Sequence, residues 1–106
     1  MKTTAQILTE ARALIDTPEK WTQGELARNS KGRVIDYESK NAVCYCAAGA
    51  LKRSAERRAK LLYTAESLLA RVANVEFVWQ FNDTHSHAEV MELFDRAISL
   101  AKLENV

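Results

Sequence analysis

Apolar residues recur at helical spacing in four stretches of this chain. In the first, residues 4–16, Ile7, Leu8, Ala11, Leu14 and Ile15 share one face. Thr3 or Thr4 is placed to cap that helix. Pro18 ends it, because the residue before a proline is pushed out of helical geometry. A second helix is expected after an Asn41 cap, with Val43, Cys46, Ala47, Ala50 and Ser54 on one face and Gly49 beside them. Small side chains on that face suit a close approach between two helices, which is the simplest use of a helical glycine. Leu61, Leu62, Ala65, Leu68, Leu69 and Val72 form the stripe of a third helix that runs to about Ala73. No Pro or Gly separates helices two and three, yet one continuous rod would be roughly 48 Å long at 1.5 Å per residue. That is long for so small a domain, so a break is expected near Ala55 to Arg58. Ser86 and Glu89 make a capping box for the last helix, which carries Val90, Leu93, Phe94, Ala97, Ile98 and Ala101.

Residues 17–41 break this periodicity. Asn29-Ser30-Lys31-Gly32 is a turn signal between Leu26-Ala27-Arg28 and the β-rich Arg33-Val34-Ile35-Asp36-Tyr37, so a small hairpin is predicted there. A lone hairpin is marginal in water and must pack on the helices, with Trp21 and Ile35 as anchors. Val75 to Phe81 alternate and read as a short strand or extended segment. The fold class is therefore mostly α: about four helices around one small core, with a short β-hairpin between helices 1 and 2. Residues 1–106 are read as a single domain.

Charge and composition narrow the function. The formal net charge of +1 argues against a dedicated nucleic-acid binder, which would be strongly basic. No apolar run approaches the ~18 residues needed to span a bilayer, and the start of the chain lacks the apolar segment of a signal peptide. A cytoplasmic protein with reduced thiols, in a bacterial cell or an infected host, is the expectation.

The chemistry on offer lies in two clusters, Cys44-Tyr45-Cys46 and Phe81-Asn82-Asp83-Thr84-His85-Ser86-His87. Cys44, Cys46, His85 and His87 have the composition of a zinc site, but Cys-x-Cys on a helix points its sulfurs apart, so no metal or other cofactor is expected. A thiol nucleophile is the sharper alternative. Cys44 would lie in the first turn of helix 2, where the helix dipole favours thiolate, with His85 or His87 as base and Asn82 or Asp83 orienting it. Against this, Cys46 reads more readily as a small buried hydrophobe, which is what cysteine most often is. Lys52, Arg53, Arg57, Arg58 and Lys60 form a basic run open to phosphate or an acidic partner, though Glu56 pairs with Lys60 at i,i+4 as on an ordinary solvated helix face. A helix face bearing Tyr63 or Trp79 is a candidate dimer interface, though no sequence pattern decides it.

Trp21-x-Gln23-Gly24, Cys46-x-x-Gly49-Ala50-Leu51, Phe81-Asn82-Asp83, and then Glu89-Val90 with a closing Leu-rich helix occur in order. This series resembles an uncharacterised family of small bacterial and phage proteins that carry W-x-Q-G, C-x-x-G-A-L and W/F-N-D segments. Phe81 stands where Trp is common in that pattern, and Cys44 and His85 lie outside it. The resemblance implies a shared fold and a bacterial or phage setting, not a reaction. Trp21, Gln23, Gly24, Asn82 and Asp83 are then the candidate small-ligand or binding residues. The leading functional expectation is a non-enzymatic interaction protein that binds and modulates a host or phage protein, such as a defence factor. A small Cys/His enzyme and a nucleic-acid accessory acting through residues 52–60 are the alternatives.

Overall fold

The computed structural model describes Lys2 to Val106. Five helices share one core: α1 (Thr4–Leu14), α2 (Ala47–Ala55), α3 (Ala59–Ala73), α4 (Val78–Thr84) and α5 (His87–Leu103). Between α1 and α2 lies a two-stranded antiparallel sheet, β1 (Ala27–Arg28) and β2 (Cys44–Tyr45). The mostly helical architecture with a small sheet between the first two helices is the one the sequence pattern predicts.

The long helices form where their stripes lie. Ile7, Leu8 and Ala11 of α1, Leu51 and Ala55 of α2, Leu69 of α3, and Val90, Phe94 and Ala97 of α5 are all buried together. Thr3 and Gln6 cap α1 reciprocally, and Ser86 and Glu89 do the same for α5. Each box satisfies backbone N–H groups that the first turn leaves without helical partners. Pro18 opens a single 3-10 turn, Pro18–Lys20, after α1 has ended.

The expected break between helices 2 and 3 is present. Glu56 and Arg57 take φ of 52° and 66°, the left-handed region, and turn the chain after Ala55. Neither is glycine, so each residue carries a local conformational cost. Charge pairs hold both: Lys2 Nζ reaches Glu56 Oε1, and the Arg57 guanidinium grips Glu38 with two bonds of 2.9 Å.

Three predicted elements differ. The hairpin turn does form, with Asn29 accepting from Gly32 and an isolated bridge joining Arg28 to Val34. The regular partner of Ala27–Arg28 is nevertheless Cys44–Tyr45, which pairs Ala27 with Tyr45 and Arg28 with Cys44. Consequently α2 is not capped by Asn41; it starts after Cys46. Finally, Val75–Phe81 is not a strand. Val78 onward is helical, and Val78 and Asn82, four residues apart, turn inward together.

Candidate functional site

Asn82 is the centre of a polar cluster in the core. Its side chain is wholly buried, and every hydrogen-bonding atom of its amide is engaged. Oδ1 accepts from Trp21 Nε1 at 2.7 Å and from the Ala47 backbone N–H at 2.9 Å. Nδ2 donates to the Thr22 carbonyl at 3.1 Å and to Asp83 Oδ1 at 3.0 Å. Asp83 Oδ1 also accepts from the Gly24 backbone N–H at 3.0 Å. Gln23 Nε2 donates to the carbonyls of Asn82 and His85 at 3.0 and 3.1 Å.

Trp21, Gln23, Gly24, Asn82 and Asp83 therefore do come together, as a joint linking the loop after α1 to α4 and to the start of α2. Gly24 adopts φ 85°, which glycine accepts without strain. The Ala47 N–H is one of the free donors of the first turn of α2, and Asn82 supplies its acceptor from another helix.

The Cys46-x-x-Gly49 pair completes the same junction. Cys46 is the N-cap of α2, and its Sγ accepts from the Gly49 N–H at 3.3 Å. Gly49 packs against loop backbone and not, as the small-residue face suggested, against another helix. A Cβ there would stand 2.8 Å from the Leu26 carbonyl carbon and closer still to its oxygen. That same Leu26 carbonyl accepts from the Cys46 N–H at 3.2 Å. Burial pushes the Cys46 thiol above its ordinary pKa, with the Asp83 charge adding to the rise and the Gly49 N–H opposing it.

The other candidates are dispersed. Cys44 lies on β2, half-buried, and its thiol donates weakly to the Arg28 carbonyl at 3.9 Å. It is therefore not at a helix N-terminus, and the dipole argument for its activation falls away. The His85 ring stacks on Phe81 at 3.6 Å between centroids, with Nδ1 2.9 Å from the Phe81 carbonyl. His87 Nε2 donates to the Ile15 carbonyl at 2.6 Å, and its ring leans on Trp21. Among the described residues no group of three or more His, Cys, Asp or Glu is arranged to hold a metal ion.

The basic run is largely engaged with its own protein. Arg57 is paired with Glu38, Arg53 Nη1 donates to the Glu38 carbonyl at 2.9 Å, and Lys52 lies 3.9 Å from Glu66. Arg58 and Lys60 remain exposed at the start of α3. No described helix is long and apolar enough to cross a membrane.

A second region was only glimpsed in the sequence. Tyr63, Phe77 and Trp79 are 72%, 51% and 51% exposed, unusual for three large aromatics beside one another. They line a groove of about 320 Å³ between α3 and the start of α4. Tyr63, Glu66, Ser67 and Ala70 form its α3 wall, at the i, i+3, i+4, i+7 spacing of one helix face, and Ala48 of α2 also contributes. Glu76, Phe77, Val78 and Trp79 form the other wall, with the Phe77 and Trp79 rings within 9° of parallel.

The chain belongs to DUF6197, a family of unknown function whose sequence model matches residues 1–100. No curated protein matches the chain, and no solved structure does.

Proposed function

We propose that this protein is a non-enzymatic interaction module that binds and modulates another protein through the aromatic groove between α3 and α4. The observation that carries this reading is the exposure of Tyr63, Phe77 and Trp79 around one concave surface. Tyrosine and tryptophan dominate the energetics of protein interfaces, and a contiguous exposed aromatic patch costs solubility unless something covers it. The resemblance of the W-x-Q-G, C-x-x-G-A-L and N-D segments to small bacterial and phage proteins supplies the setting, in which the partner is a host or phage protein.

The thiol-enzyme alternative draws less support from the geometry. Cys46 is buried, accepts a capping bond and is shifted away from thiolate, the opposite of what a nucleophile needs. His85 and His87 each contact a backbone carbonyl of this protein. The nucleic-acid alternative is weakened by the intramolecular pairing of Arg53 and Arg57 with Glu38.

The test is affinity capture from the native cell with the wild-type protein and with Trp79→Ala and Tyr63→Ala side by side. A partner retained by wild type at low and moderate salt, and lost from both variants, is the expected result. A partner that both variants retain equally would move the interface elsewhere, and no partner at either salt would sink the reading.

A further inference from the structure

Resting on that reading, we infer that the groove accepts an arginine side chain presented by the partner protein. The charged residues that line it are Glu66 and Glu76, both acidic; no lysine or arginine is among the lining residues. Glu66 is half-buried, yet among the described residues nothing hydrogen-bonds its carboxylate; Lys52 Nζ, at 3.9 Å, is a loose ion partner only. Burial raises the pKa of this carboxylate, while a third of the side chain still faces solvent, where an incoming donor can meet it.

Three aromatic side chains, Tyr63, Phe77 and Trp79, line the same groove. A guanidinium meets both demands at once. Its planar fork donates two parallel bonds to a carboxylate, and its face stacks on aromatic rings. Its aliphatic stem would lie along Ala48, Ala70 and Val78, the small apolar part of the lining. A purely apolar occupant would instead cover Glu66 and withdraw its charge further from water. Two acidic lining residues, no basic one, and exposed aromatics therefore select a cationic side chain over a greasy one.

The experiment is an NMR titration of the intact protein with N-acetyl-arginine methylamide and with its citrulline and norleucine counterparts. Citrulline keeps the shape and removes the charge; norleucine keeps only the apolar stem. We expect millimolar binding of the arginine probe, with shifts confined to residues around Tyr63, Glu66, Phe77 and Trp79, and about tenfold weaker binding of citrulline. Glu66→Gln should abolish that preference. Lys52→Met removes the loose competing cation and should tighten arginine binding severalfold, a gain that general damage to the fold would not produce.

Equal binding of all three probes would overturn the arginine inference while leaving the groove an apolar docking surface. Shifts centred on Glu38 or Glu10 instead would overturn it as diffuse surface electrostatics. Groove shifts that grow with protein concentration in the absence of probe would name a second copy as occupant and also overturn it. The capture experiment with Trp79→Ala stands apart from all three, so loss of the arginine inference and loss of the interface reading are told apart.

Discussion

Helix α4 has two sides that have been built to opposite specifications. Inward, Asn82 satisfies every polar atom of its amide and is sealed from water. Outward, at the start of the same helix, Phe77 and Trp79 stand half in solvent and share a groove with the carboxylate of Glu66, whose one ion partner among the described residues is Lys52 at 3.9 Å. The contrast separates two reasons for finding polar and aromatic residues together. The motif-bearing joint looks like a binding site in sequence, yet each group in it already holds a partner from its own chain. The groove carries no motif and keeps its bonding capacity open. A cluster whose polar groups are satisfied within the chain specifies a fold; one that faces solvent is available to a ligand.

The largest effect on this comparison should come from Asn82→Ala. It strips the acceptor from Trp21 Nε1 and the Ala47 N–H, and the donor from the Thr22 carbonyl and Asp83. Each stranded buried group costs about 1–3 kcal/mol, so a loss of about 3 kcal/mol or more is expected in urea unfolding. A loss below about 1 kcal/mol would mean that water replaces the amide and that the joint is open enough to be a site after all.

Gly49→Ala comes next and is informative through its sign. In an unobstructed helix the change gains about 1 kcal/mol. Here the new methyl collides with the Leu26 backbone, which is not a flexible side-chain tip and is itself tied to Cys46. A net loss of about 2 kcal/mol is expected, measured the same way. A gain would show that the loop carrying Leu26 yields easily.

The limits of the sequence follow from the same geometry. The capping box at Ser86 was legible because its partner Glu89 lies three residues away, whereas at the first helix the cap was narrowed only to Thr3 or Thr4. The helical stripes were legible because α1, α3 and α5 bury long apolar faces. The β2 pairing was not, because a two-residue strand has no period to read, and its partner lies across a loop from Asn29 to Val43. Helix α4 escaped because its inward i,i+4 pair is Val78 and Asn82, and a buried asparagine counts as polar in any hydrophobic pattern. The break after Ala55 was inferred from length alone, since left-handed Glu56 and Arg57 leave none of the usual Gly or Pro marks. The motif residues could be grouped but not interpreted. Whether Asn82 is free or engaged depends on Trp21, Thr22 and Ala47, which are distant in sequence.

Cys46 tests the joint at finer scale. Cys46→Ala removes the side-chain acceptor of the Gly49 N–H and should cost about 1 kcal/mol, whereas Cys46→Ser keeps an acceptor in place and should cost less. Alkylation of the native protein at neutral pH should modify half-buried Cys44 well before Cys46, read site by site by mass spectrometry. Faster reaction at Cys46 would contradict both its burial and its raised pKa, and would return the thiol-enzyme reading to first place.

The smallest change in stability should come from the groove, where the change in binding is largest. Trp79→Ala should leave unfolding within about 0.5 kcal/mol of wild type, because the ring is half exposed and packs on another surface ring. Glu66→Gln should go further and stabilise the free protein slightly. The Glu66 carboxylate has a folded pKa above its ordinary value of 4.5, and burial is the main cause. An acid with a raised folded pKa holds more protons folded than unfolded, so its ionisation opposes folding. That penalty is absent below the unfolded pKa, grows as pH rises through the folded pKa, and is fully present at pH 7. The Tm advantage of Glu66→Gln should therefore exist at neutral pH and vanish by about pH 4. A residue whose removal steadies the fold but erases the arginine preference is kept for something other than folding. If Glu66→Gln instead lowers Tm at pH 7, then Lys52 and Glu66 form a stabilising pair, and the groove has less unmet charge to offer than its geometry indicates.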